Sequence, residues 1–112
     1  MRRVLVAALI LAATASTGLA EEDVGTIAGA GWVSCGEYAA RYQQSPKSTE
    51  DYFYAWAQGY MSGVNQASLI RKNLRGWRIE KQKDTIRAYC EKHPLAAYGE
   101  AVQSVFNSLP NR

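Results

Sequence analysis

Few side chains in this sequence can do chemistry: two thiols, Cys35 and Cys90, one imidazole, His93, and ten carboxylates scattered among thirteen cations. A serine or cysteine triad would have to be built on His93, which precedes Pro94 at a helix junction and reads as a solvent-facing cap rather than a base. Two cysteines and one histidine are too few to hold a metal, and no phosphate-cradling loop is present. The carboxylates have simpler roles. Glu50 and Asp51 fall where the first turn of a helix favours negative charge, while Glu80 and Asp84 stand i, i+4 among lysines and arginines on a polar face. The sequence therefore points away from an enzyme and calls for no cofactor and no metal.

The thiols have a structural use if the chain is exported, and the amino terminus supplies an export signal. Met1, Arg2 and Arg3 lead into the apolar run Val4 to Ala13, then the small polar stretch Thr14 to Gly18. Gly18-Leu19-Ala20 offers small residues at both positions that a signal peptidase reads, so cleavage is expected after Ala20. The run is about half the length of a membrane span, and no other stretch is continuously apolar enough to supply one. The expected location is the periplasm or the secreted fraction. There an even, minimal cysteine count predicts a Cys35 to Cys90 disulfide. It would close a loop of roughly 55 residues, for which chain entropy gives about 4 kcal/mol.

Export also revises the charge. Arg2 and Arg3 leave with the signal, so eleven Lys and Arg remain against ten Asp and Glu. Within this near-neutral chain the stretch from Arg71 to Arg87 holds seven cations (Arg71, Lys72, Arg75, Arg78, Lys81, Lys83, Arg87) against two acids. They predict a basic face able to steer an acidic protein or an anionic lipid surface. Export argues against nucleic acid as the partner.

The positioning elements are all helical. Residues 21–31 open with three acids and thin into glycine and alanine, which reads as a flexible leader before one domain over 32–112. Ser34 and Glu37 form a capping box, followed by a stripe of Cys35, Tyr38, Ala39 and Tyr42. Ser48 or Thr49 is expected to cap a second helix whose stripe runs Phe53, Trp56, Ala57, Tyr60, Met61, Val64. Gly59 and Gly63 each cost about 1 kcal/mol inside that helix. With Ala55 they predict a strip where another helix, or a partner, approaches beside Trp56 and Tyr60. A third helix from about Arg78 to Lys92 carries Ile79, Ile86, Tyr89 and Cys90 inward. Pro94 is expected to start the fourth, with Leu95, Tyr98, Val102, Val105, Phe106 and Leu109 as its buried stripe. The predicted fold is all-α, a small bundle of four helices with one disulfide.

Two stretches carry a resemblance: Trp56-Ala57-Gln58-Gly59-Tyr60-Met61-Ser62-Gly63-Val64-Asn65 and Tyr89-Cys90-Glu91-Lys92-His93-Pro94-Leu95. With the signal peptide and Ser34-Cys35 opening a helix, this order resembles the HdeA-like periplasmic acid-stress chaperones. The Gly59-Tyr60-x-x-Gly63-Val64 core also resembles the Tai-type immunity proteins, which neutralise amidase effectors of type VI secretion systems. The first resemblance implies a protein that self-associates near neutral pH, as a homodimer, and exposes apolar surface to client proteins in acid. Full protonation would raise the exported chain to a net charge of roughly +12, and such self-repulsion loosens small domains. The second implies a binding module or inhibitor that holds one specific effector enzyme.

Overall fold

The computed structural model describes residues 26–112. The expected signal at residues 1–20 and the start of the leader lie outside the described residues. A 3-10 turn, Gly29–Trp32, is followed by four helices: α1 (Cys35–Gln44), α2 (Pro46–Ala67), α3 (Ile79–Lys92) and α4 (Tyr98–Ser108). The fold is a small all-α bundle. Among the described residues strand pairing is limited to two isolated bridges, Ser34 with Ala97 and Lys72 with Asn111.

Helix α1 starts as its sequence requires, with Ser34 Oγ accepting the Glu37 N–H at 3.1 Å. The Glu37 carboxylate does not complete the box and instead accepts from Arg41 at 2.6 Å. Helix α2 begins at Pro46, earlier than a Ser48 or Thr49 cap would place it. Proline's fixed φ suits the first helical position, where no N–H is needed. Thr49 turns inward, and its hydroxyl donates to the Arg41 carbonyl at 3.0 Å, which joins the end of α1 to the start of α2.

Helix α4 differs more from expectation. Residues 94–97 do not join it, and Leu95, expected in its buried stripe, is 97 % exposed. The segment forms a turn, Ala96 N–H donating to the His93 carbonyl at 3.0 Å, and its own carbonyls serve another helix. Cys35 N–H donates to the Ala96 carbonyl at 2.7 Å and Gly36 N–H to the Pro94 carbonyl at 2.9 Å, which satisfies free donors at the start of α1. Glu100 then closes the first turn of α4 by accepting the Ala97 N–H at 2.7 Å.

The core centres on Tyr38, Phe53 and Tyr98, whose ring centroids lie 4.9 Å apart in each pair. Burying such a ring is worth about 2–3 kcal/mol, and each tilted pair adds about 1. Ala57, Met61, Ile86, Val102, Val105, Phe106 and Leu109 complete it. Cys35 and Cys90 form the disulfide inside this core, with a Cα separation of 4.7 Å, and tie α1 to the end of α3.

Order also begins before Trp32. Ala30 and Gly31 are buried, and the 3-10 turn packs on α2 and α4. The flexible-leader reading therefore does not hold for residues 29–31. Two glycines allow this seat. Gly29 adopts φ +72°, which other residues resist, and a Cβ on Gly31 would overlap the Trp56 ring.

Candidate functional site

The surface expected around Trp56, Gly59, Tyr60 and Gly63 divides into two. Trp56 and Tyr60 stack at 5.1 Å with their planes 15° apart. Trp56 is roofed by the amino-terminal segment: its Nε1–H donates to the Ala28 carbonyl at 2.9 Å, and Gly31 lies against the indole. Tyr60 donates its hydroxyl to Gln103 Oε1 on α4 at 2.5 Å. Gly59 and Gly63 face the other way. Ala55, Gly59 and Gly63 are exposed, and a Cβ on either glycine would meet nothing within 4 Å. The small-residue strip is not a seat for another helix of this domain, because α1, α4 and the 3-10 turn already cover the opposite side of α2.

A second cluster spans the seam between α2 and α3. The backbones of these two helices stay apart, and long polar side chains bridge them. Glu50 of α2 is buried and accepts two donors on Oε2: the Tyr38 hydroxyl of α1 at 3.1 Å and the Arg87 guanidinium of α3. Arg87 also bonds Asp84 on its own helix and lies 4.9 Å from the centroid of the Tyr42 ring. Burial works against the charge on Arg87, but the hydrogen bond and attraction from Glu50 hold its pKa above the ordinary value. Burial, then the charge and hydrogen bond of Glu50, push the Tyr38 hydroxyl up. Further along the seam, buried Gln82 accepts from the Tyr54 hydroxyl at 2.8 Å and donates to the Leu74 and Trp77 carbonyls, both at 2.9 Å.

The seven cations do not share one face. Lys83 and Arg87 turn toward α2, Lys83 lying 3.7 Å from Glu80 and 5.3 Å from the Tyr54 ring centroid. Positions 82, 83, 86, 87 and 90 follow helical spacing along the inner half of α3, so these two cations are drawn into the seam, whereas Ile79, expected to face inward, is exposed at the helix start. Lys81 sits 3.9 Å over the Trp77 ring, and Lys72 donates to the Asn107 carbonyl at 3.2 Å. Arg71, Arg75 and Arg78 remain exposed on the α2–α3 connection. Arg75 and Arg78 flank an open groove of about 600 Å³, walled by Tyr54, Met61, Leu74 and Trp77.

Glu50, Gln82 and Tyr38 are the residues whose joint role sequence reasoning missed. The signal was periodicity. Glu50 extends the stripe of Phe53 and Ala57 back by one step, and Gln82 fills the gap between Ile79 and Ile86. A polar residue on an apolar stripe must be partnered when the stripe is buried. His93 caps the end of α3 with its ring 4.3 Å from that of Tyr89. Among the described residues no three His, Cys, Asp or Glu side chains are placed to hold a metal ion, and no helix is long and apolar enough to cross a membrane. Compared with protein families, curated proteins and solved structures, this chain finds no match.

Proposed function

We propose that this chain is a non-enzymatic, exported protein-binding domain that acts as an acid-stress chaperone of the HdeA-like kind. The observation that carries the reading is the α2–α3 seam, which rests on a buried ion pair and polar bridges rather than on close apolar packing. Strong acid works against this seam through the mounting positive charge of the whole chain, and Arg87 relies on the Glu50 carboxylate beside it, because a buried cation left unpaired is costly. The groups facing this pair are Tyr38 and Tyr42 from α1, Tyr54 from α2, Asp84 from α3 and Tyr98 from α4, and only Asp84 among them is a second carboxylate. Parting of the seam bares Phe53, Tyr54, Met61 and Ile86 to client proteins, while the disulfide keeps α3 tethered to α1.

The test is suppression of client aggregation at about pH 2 to 3, a range below ordinary carboxylate pKa values. The reading expects suppression together with an acid-induced red shift of tryptophan fluorescence, and neither at neutral pH. A chain that keeps its neutral-pH fluorescence in acid, or that leaves the client to aggregate, ends it.

The groove beside Arg75 and Arg78 favours a second reading, a module that holds one effector enzyme, because it is open without any rearrangement. That reading expects a stoichiometric complex at neutral pH, recovered by pull-down and weakened by Arg75→Ala with Arg78→Ala.

A further inference from the structure

One pole of the molecule combines apolar exposure with uncompensated charge. At the turn after α2, Leu69 is 104 % and Ile70 71 % exposed, side by side and uncovered. This turn is built rather than slack. Asn65 clasps it by accepting the Lys72 N–H at 2.7 Å and donating to the Lys72 carbonyl at 3.0 Å, while Ser68 bonds back to Val64 at 2.7 Å. The carboxyl-terminal segment braces it from the side, Asn73 N–H donating to the Pro110 carbonyl at 2.7 Å and Arg112 N–H to the Arg71 carbonyl at 2.9 Å. Two large apolar side chains are thus fixed at an apex with nothing among the described residues packed on them.

The surroundings are cationic. The α2–α3 connection, residues 68–78, and the carboxyl-terminal segment, residues 109–112, contain Arg71, Lys72, Arg75, Arg78 and Arg112 and no aspartate or glutamate side chain, the nearest acid in sequence being Glu80 in the first turn of α3. None of these five is among the ion pairs of the described residues.

We propose that this pole docks the protein onto an anionic lipid membrane surface, with Leu69 and Ile70 entering the headgroup boundary and the surrounding cations meeting lipid phosphates. Shape decides between lipid and protein. A convex apolar tip needs a matching pocket on a protein partner, whereas the boundary between headgroups and acyl chains accepts it without one. Charge selects the lipid: a cation close to an anionic surface strengthens binding about fivefold. Attachment by two side chains and a handful of cations is reversible and weakens with salt. The inference is independent of the acid opening, since the apex is exposed in the closed fold.

The experiment uses the chain from Glu21, so that the apolar run Val4 to Ala13 cannot itself carry the protein to a membrane. Sedimentation with phosphatidylcholine vesicles, with and without about one third phosphatidylglycerol, should show binding only to the anionic vesicles and release by salt. Leu69→Ser with Ile70→Ser, both fully outside the core, should weaken binding at least ~10-fold. Arg71→Gln with Arg75→Gln should weaken it about 25-fold. Unchanged helical circular dichroism shows that each variant is folded. Failure to bind anionic vesicles, or binding indifferent to the apolar pair, overturns the proposal. So does a chain that ignores vesicles but is retained on immobilised polyglutamate, which would assign the pole to an acidic protein.

Discussion

Arg87 on α3 reaches Glu50 on α2 across 37 positions of sequence, and the carboxylate oxygen that receives it also receives the Tyr38 hydroxyl of α1. Three helices therefore meet on one atom. A single-partner deletion should be much more damaging than surface ion pairs elsewhere suggest, because the partner left behind is a buried charge. Arg87→Ala is expected to cost about 2–4 kcal/mol in urea unfolding at neutral pH. Lys47→Ala, which breaks only the exposed pair with Asp51, should leave the unfolding midpoint nearly unchanged. Equal effects from the two variants would remove the seam from the account of this fold.

The two classes of glycine in the chain should respond with opposite signs. Gly31→Ala drives a methyl group into the Trp56 ring and is expected to cost about 1–3 kcal/mol, or to lift the amino-terminal segment away with a red shift in tryptophan emission. Gly59→Ala and Gly63→Ala add their methyls to open space in a helix interior. Each should raise stability by about 0.5–1 kcal/mol. Destabilisation at Gly59 or Gly63 in the monomer is the result that contradicts the exposed strip.

These glycines mark what a sequence can and cannot show. Periodicity finds the stripe of Phe53, Ala57 and Met61 because burial of one helix face depends on local spacing. It also finds Cys35 and Cys90, since each falls on such a stripe. Spacing does not say what lies over the flank of a helix. Trp56 looks like a partner contact because nothing nearby in sequence covers it, yet Ala28 and Gly31 do. Leu95 looks like core because it lies in phase with Tyr98, yet it sits in a turn whose Pro94 and Ala96 carbonyls are committed to α1. Glu50 has a sufficient local explanation in the helix dipole, and only the fold brings Arg87 to it. In each case the deciding contact is distant in sequence.

The disulfide offers a prediction about order of events. Replacing both Cys35 and Cys90 with alanine removes a cross-link over a separation of 55 residues and leaves small gaps in the core. The chain-entropy contribution alone is about 4 kcal/mol, a large share of the 5–15 kcal/mol typical of a small domain. The doubly substituted chain is expected to be largely unfolded or highly dynamic at neutral pH, with broad amide resonances. A cooperative transition within ~1 kcal/mol of wild type would show that packing around Tyr38 and Tyr98 suffices without the cross-link.

The tyrosines give the pH dependence on the alkaline side. Burial first, and the nearby Glu50 charge as a further cause, hold Tyr38, Tyr54 and Tyr98 above the ordinary value of 10.0. The sign follows from proton counting. Above about pH 10 the unfolded chain releases these phenolic protons and the folded chain keeps them, so stability falls as pH rises. Below pH 10 both states are protonated at these sites and the full contribution is present. Three such groups give a slope of at most about 4 kcal/mol per pH unit. Spectrophotometric titration of tyrosinate should therefore show a late wave from these three hydroxyls that coincides with loss of helical circular dichroism. Tyr98→Phe keeps the central ring and removes one late proton, so it should shrink the late wave by about one third and flatten the alkaline slope in the same proportion. A single wave near pH 10 with the helices intact would falsify the buried placement of these hydroxyls.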